Sequence, residues 1–236
     1  MLTRIAVVAT AEGRWTSRVG EYLNGTLGPG MVRWRERHQP RLPAPATQVV
    51  LLSLLLDAER HGGEPETLAR AVGYSAMSIS RAARAQERSG LIRRPKRGRQ
   101  RKLILFTDPN TVWDRAQQQL VSPVRARHAG ALTDFDDALD AGETALSQRS
   151  MLTPPPTRTV AVSAAFWTRH GTRRADGARP DAVGEPGTVT VEVWTYPAQS
   201  LSRGSAVDPL SLYLSLHDHN DARVAKARDD LLAVLG

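Results

Sequence analysis

Cysteine is absent from this chain of 236 residues, which excludes disulfides and thiolate metal sites and is compatible with a reducing compartment. Long apolar runs are also absent. The longest, at residues 49–56, is interrupted by Ser53 and is far shorter than the roughly 20 residues that a membrane span needs. The first ten residues contain one arginine and no convincing cleavage site, so they are not typical of a signal peptide. We therefore expect a cytoplasmic protein that does not enter a membrane.

Acidic residues are scarce in the first part of the chain. Residues 1–102 contain 19 Lys+Arg and 8 Asp+Glu, a net charge of +11, whereas residues 103–236 contain 13 and 16, a net charge of −3. This asymmetry indicates that one half of the protein meets a polyanion and the other half does not.

The pattern of helices and strands is clearest between residues 44 and 125. The predicted elements are a helix over 46–60, a helix over 65–72, a turn at Gly73-Tyr74, a third helix capped by Ser75 and ending near Ser89, a stop at Gly90, and a hairpin with strands at 91–94 and 102–106. This order is typical of a winged helix-turn-helix, in which the third helix reads the major groove of DNA. Residues 1–43 form an extension of unclear fold, with a short basic strand predicted at 31–38.

The third helix presents a one-sided pattern of basic residues. On a helical projection Ile79, Ala83 and Gln86 share one side, which we expect to pack against the other helices. The predicted DNA-binding residues of this helix are Ser75, Ala76, Met77, Ser78, Ser80, Arg81, Arg84 and Arg88. Arginine can grip the O6 and N7 atoms of guanine, and serines at a helix N-terminus can bond phosphates or base edges.

The hairpin is the second predicted DNA-binding element. No acidic residue occurs between Arg88 and Lys102, and Gly98 allows a tight tip. Its predicted DNA-binding residues are Arg93, Arg94, Lys96, Arg97, Arg99, Gln100, Arg101 and Lys102. Such a wing lies over the DNA backbone or in the minor groove and adds affinity, while the helix supplies sequence preference. An RNA-binding loop is the rival interpretation, but this stretch has no stacking aromatic residue before Phe106.

Residues 126–236 are predicted to form a small mixed α/β domain, so that the whole chain belongs to the α+β class. The predicted elements after the hairpin are helices over 110–120, 133–147, 207–216 and 222–235, strands over 159–163 and 188–195, and an exposed loop over 169–187.

Two resemblances to known families rest on short motifs. The run from Tyr74 to Ala82, followed by Ser89-Gly90-Leu91-Ile92, resembles the helix-turn-helix of MarR-like winged-helix regulators, with Gln86 where that family usually has leucine. Later motifs resemble the antitoxin-type C-terminal domain of the AbiEi group: Gly142-Glu143-Thr144-Ala145-Leu146, Ser150-Met151-Leu152-Thr153-Pro154-Pro155, Val191-Glu192-Val193-Trp194 and the run from Val207 to Leu214. The resemblance implies a transcriptional regulator, and an antitoxin whose partner is a nucleotidyltransferase toxin.

Catalytic and metal chemistry is poorly supported by the sequence. The segment from His217 to Asp221 contains metal-ligating residue types, but it lies between two predicted helices, where such residues cap ends and fill turns. Asp181 and Glu192 are spaced as in some metal-dependent nucleases, yet position 194 is tryptophan where a lysine would be needed. We expect no catalytic residues, no metal, no cofactor and no enzyme.

The sequence therefore predicts a sequence-specific double-stranded DNA-binding regulator, a repressor, which binds as a homodimer. Two alternatives remain open. One is an autoregulating type IV antitoxin that binds a toxin through its C-terminal domain. The other is a plasmid or phage winged-helix replication protein.

Overall fold

A computed structural model of the protein describes residues 44–57, 64–97, 100–175 and 187–236, and for residues 97, 100, 101 and 171–175 only the backbone. The helices are α1 (Pro45–Leu56), α2 (Pro65–Val72), α3 (Ala76–Arg88), α4 (Pro109–Ala116), α5 (Gly142–Ser147), α6 (Ala164–Ala175), α7 (Pro209–Ser215) and α8 (Ala222–Asp230). The strands are β1 (Ile92–Arg93), β2 (Lys96–Arg97), β3 (Gln100–Arg101), β4 (Ile104–Leu105), β5 (Val124–Ala131), β6 (Leu139–Asp140), β7 (Arg158–Ser163) and β8 (Thr188–Trp194). The α+β class is confirmed. The extension at 1–43, with its predicted strand at 31–38, lies outside the described residues.

Helix α1 is the central packing element of the described structure. Its residues from Gln48 to Leu55 are all buried, as expected of a helix that is apolar on every side. It contacts α3 on one side, and α7 and the final 3₁₀ helix (Leu231–Leu235) near the C-terminus. The prediction that this helix continues to residue 60 is wrong, because Asp57 already has an extended backbone and its carboxylate pairs with Arg203. Residues 58–63, including the predicted glycine stop, lie outside the described residues.

Helices α2 and α3 follow the sequence pattern closely. The turn between them uses Gly73 at φ 72°, a left-handed conformation that favours glycine. Ser75 caps α3 by accepting a hydrogen bond of 3.1 Å from the Ser78 amide. Gly90 at φ 68° ends the helix and redirects the chain into β1. All three predicted signals are confirmed.

The hairpin after α3 is divided into two short antiparallel pairs. β1 pairs with β4, and β2 pairs with β3 inside the segment predicted to be the tip. The predicted strands at 91–94 and 102–106 are therefore too long. Pro95 interrupts the first arm because it has no N–H, although its carbonyl still accepts a bond of 3.0 Å from the Lys102 amide. Residues 98 and 99 lie outside the described part.

A four-stranded sheet in the order β5-β8-β7-β6 forms the second half of the structure. β7 and β8 are parallel, and the other pairs are antiparallel. The predicted strands at 159–163 and 188–195 are confirmed to within a residue. The edge strand β5 was not predicted, because its later positions are His128, Ala129, Gly130 and Ala131, which are not strand formers. The predicted boundary between residues 125 and 126 falls inside β5.

Two predictions in this half are wrong. In place of a helix over 133–147, the chain forms a 3₁₀ turn at Leu132–Asp134, strand β6 and the short helix α5. The apolar residues of this segment do not share one helical face, because Phe135 packs in a different core from Leu139 and Leu146. The loop predicted over 169–187 is helical as far as Ala175, and residues 176–186 lie outside the described part.

The later helices are shorter than predicted, and two of them change to 3₁₀ geometry in their last turns. α4 passes into a 3₁₀ helix at Gln117–Gln119, and α8 passes into the one at Leu231–Leu235. α7 begins at Pro209, after the N-cap Asp208. No helix in the described ranges is long and apolar enough to cross a bilayer.

Two hydrophobic clusters lie on opposite faces of the sheet. The smaller cluster is formed by valines of β7 and β8, such as Val160 and Val191, with Phe135 and residues of α6. The larger one runs from Val49 in α1 to Leu235 at the C-terminal end and includes the buried Trp113 and Trp194. The helices that precede the hairpin therefore share one core with the C-terminal helices, and α3 is held against a rigid support.

Candidate nucleic-acid interface

Helix α3 is divided lengthwise into a buried side and an exposed side. Ile79, Ala82, Ala83 and Gln86 are at most 5% exposed. The opposite side presents Met77, Arg81, Arg84 and Arg88, all of them exposed. Within the part of the chain that the structure describes, none of these three arginines forms an ion pair. The guanidinium groups are therefore directed to solvent, as the helical projection predicts.

The first turn of α3 contains small and hydroxyl side chains. Ser75 and Ala76 are exposed, whereas Ser78 and Ser80 are half-buried. The Ser75 and Ser78 hydroxyl oxygens lie 2.9 Å apart and share a hydrogen bond. The hydroxyls retain further lone pairs, and the amides at a helix N-terminus favour an anion nearby.

Gln86 explains how α3 is attached to the rest of the molecule. Its side chain is buried, and its Nε2 donates a hydrogen bond of 3.0 Å to the Thr47 carbonyl in the first turn of α1. A buried amide without a partner would destabilise the fold, and this bond provides the partner. The polar residue at a position where leucine is usual in MarR-like proteins is therefore well accommodated.

Arg93, in β1, and Arg94, the next residue, have different surroundings. Arg93 is exposed, and its guanidinium lies 4.2 Å from the centre of the Phe106 ring. Arg94 is turned inward, with its side chain 6% exposed and its Nη1 3.3 Å from the Glu87 carboxylate at the end of α3. Arg94 therefore ties the hairpin to α3, which the sequence alone did not indicate.

The two lysines of the hairpin face solvent. Lys96 and Lys102 are exposed, and neither has an ion-pair partner among the described residues. The backbones of Arg97, Gln100 and Arg101 form β2 and β3, and Arg99 lies outside the described residues. The α3 side and the hairpin contain one acidic residue, Glu87, and it is paired. The local electrostatic field is therefore strongly positive.

A second polar cluster lies on the sheet. Glu192 of β8 is 2% exposed, and its carboxylate accepts bonds of 3.0–3.1 Å from Arg127 of β5 and from the indole of Trp194. Burial raises the pKa of Glu192, and the Trp194 and Arg127 contacts oppose that shift. A cavity of about 400 Å³ borders this pair, together with Glu143 and His219.

The geometry of this cluster is that of a packed ion pair. Trp194, at the position where a nuclease needs lysine, supplies a hydrogen bond to Glu192, so both carboxylate oxygens have protein partners. The other acid of the nuclease hypothesis, Asp181, lies outside the described residues.

The segment from His217 to Asp221 lies between α7 and α8. Asp221 caps α8, and its bonds with Arg223 lower its pKa to about 2. The His219 Nε2 lies 2.9 Å from a Glu143 carboxylate oxygen. Nowhere in the ranges that the structure describes do three His, Asp or Glu side chains come together in an arrangement that could hold a metal ion.

Comparisons of this chain with models of known families, with curated proteins and with solved structures found no match. The resemblances to MarR-like regulators and to the AbiEi group therefore stay predictions, and the functional argument depends on the geometry of this chain.

Proposed function

We propose that this protein is a sequence-specific double-stranded DNA-binding transcriptional regulator that acts as a repressor. In this proposal residues 44–125 act as a winged helix-turn-helix. α3 enters the major groove, and the hairpin from Ile92 to Leu105 contacts the DNA backbone or the minor groove. The supporting observation is the division of α3, with a buried, hydrogen-bonded side and, opposite it, three exposed arginines that have no ion-pair partner in the ranges that the structure describes.

The hairpin supports the same assignment. The Glu87–Arg94 ion pair holds the base of the hairpin next to the last turn of α3. Exposed cations that no carboxylate neutralises favour a polyanion by counterion release. We assign the roles from the position of each residue on α3 or the hairpin. Arg81, Arg84 and Arg88 read base edges. Ser75 and Ser78 bind phosphates, and Lys96 and Lys102 bind the DNA backbone.

We propose binding as a homodimer on a palindromic site, since two-fold proteins match two-fold operators. A binding role rather than catalysis agrees with the Glu192 carboxylate, whose two oxygens are both held by protein donors.

Selection of bound duplexes from a random pool, followed by anisotropy titrations of the enriched site, tests the proposal. We expect a site with two inverted half-sites, bound at least about 10³-fold more tightly than a scrambled duplex at the same salt concentration. Equal affinity for enriched and scrambled duplexes, or tighter binding to single-stranded RNA, would refute it.

A further inference from the structure

Met77 is an apolar side chain at the N-terminal end of the exposed side of α3 that bears Arg81, Arg84 and Arg88. It is 63% exposed and lies in the first turn of α3, one turn before Arg81 on the same side of the helix. The large hydrophobic residues exposed in the described part of the chain are Met77, Phe106, Leu132, Met151 and Val234. Phe106, the other one near the proposed interface, is covered by the Arg93 guanidinium. Met77 is the more exposed of the two, at 63% against 41% for Phe106.

The major groove of DNA contains one kind of apolar group that such a side chain can meet. This is the C5 methyl group of thymine, which cytosine shares only when it is methylated. The inference rests on the proposed function, because it assumes that α3 lies in the groove. The flexible, polarizable side chain of methionine adapts well to a small apolar contact of this kind.

We infer that Met77 reads a 5-methylpyrimidine, thymine in an ordinary operator, next to the guanine that Arg81 reads. Residues four apart are separated by about 6 Å along a helix, and stacked base pairs by about 3.4 Å. The thymine therefore lies within about two base pairs of the guanine in each half-site.

Replacement of single thymines by uracil in the selected duplex tests this inference, because uracil lacks only the methyl group. We expect one thymine per half-site at which the replacement weakens binding about fourfold, the value that corresponds to the burial of one methyl group. At the same position, 5-methylcytosine paired with guanine should bind more tightly than cytosine by a similar factor. This second comparison separates the methyl contribution from recognition of the thymine O4 atom.

Protein variants assign the effect to Met77. Met77→Gln has a similar length but is polar, and we expect it to bind the thymine and uracil duplexes equally. Met77→Leu remains apolar and should retain the difference. Met151→Ala is the matched control, since Met151 is fully exposed outside α3 and its replacement should leave the difference unchanged. Thermal unfolding of each variant checks that it is folded.

The outcomes separate the two proposals. If the wild-type protein binds no duplex selectively, the proposed function itself fails. If it binds selectively but tolerates uracil at every position, or if Met77→Gln keeps the wild-type sensitivity, the inference about Met77 is overturned and the proposed function stands.

Discussion

Charged side chains have different surroundings in the two halves of the molecule. On α3, Arg81, Arg84 and Arg88 are exposed and without ion-pair partners in the described structure. On the sheet, Arg127 and Arg158 are matched to the carboxylates of Glu192 and Asp140, and Arg125 is the exception, exposed and without an ion pair among the described residues. An arginine paired with a carboxylate contributes to the folded structure. Unpaired cations repel one another until a polyanion binds and neutralises them. The comparison therefore favours the proposal that a polyanion binds the first half.

A shared core connects these two halves, and its disruption should have the largest effect. Leu52→Ala in α1 removes a fully buried side chain, and we expect a loss of about 2–5 kcal/mol in the free energy of unfolding. Because α1 contacts both α3 and α7, amide hydrogen exchange should accelerate together in α3 and α7. Val234→Ala, at an exposed position, should change stability by less than about 0.5 kcal/mol. Faster exchange in only one half would show that the halves unfold independently.

Removal of the arginines that we propose to read the groove should affect binding and leave the fold intact. Arg81→Ala and Arg84→Ala should each weaken binding to the selected site by about 1–3 kcal/mol, with a much smaller change for a scrambled duplex. Anisotropy titrations at one salt concentration measure both values. Arg125→Ala removes an exposed arginine from β5 and serves as the control, with wild-type affinity expected. Equal losses on the selected and scrambled duplexes would contradict base reading by α3.

The hairpin should contribute affinity that does not depend on sequence. Replacing Arg97, Arg99 and Arg101 by glutamine should weaken all duplexes alike and reduce the slope of log K against log salt by about 0.9 for each lost phosphate contact. Titrations at several salt concentrations give the slope. An unchanged slope, or a loss confined to the selected site, would show that the hairpin does not contact the backbone in this way.

The buried ion pair on the sheet should affect stability and leave DNA binding unchanged. Burial raises the pKa of Glu192 above its ordinary value of 4.5, so the folded state holds this proton more tightly than the unfolded state. The contribution of Glu192 to stability is therefore largest below pH 4.5 and declines as the pH rises through the raised pKa. Glu192→Gln should remove this decline. Urea unfolding between pH 4 and 8 measures it, and an unchanged pH profile in the variant would contradict the assignment.

The candidate interface was more predictable than the sheet half. Ser75, Gly73 and Gly90 act locally, through one hydrogen bond or one backbone conformation, so their effects can be recognised in the sequence. The two sides of α3 follow from helical periodicity alone. Arg94 could not be assigned correctly, because its inward orientation depends on Glu87 seven residues earlier, and nothing in a run of arginines distinguishes the one that forms an ion pair.

The sheet half was harder because its pattern depends on partners distant in the chain. β5 pairs with β8 about sixty residues later. This pairing places Ala129 and Gly130 in a strand, although neither residue type prefers a strand by itself. The Gly130 position even favours glycine over alanine, since a Cβ there would come within 2.5 Å of the Phe135 ring. The helix predicted over 133–147 failed for the same reason, because its apolar residues pack on opposite faces of the sheet.

The sequence by itself determined the positive charge of the first half, the three helices before the hairpin and the side of α3 that faces solvent. Only the tertiary structure decided which basic groups are neutralised, because an ion pair such as Glu87–Arg94 or Arg127–Glu192 forms when folding brings its members together. Periodicity and capping are short-range properties of the chain. The surroundings of a charge are set by residues that can lie anywhere in it.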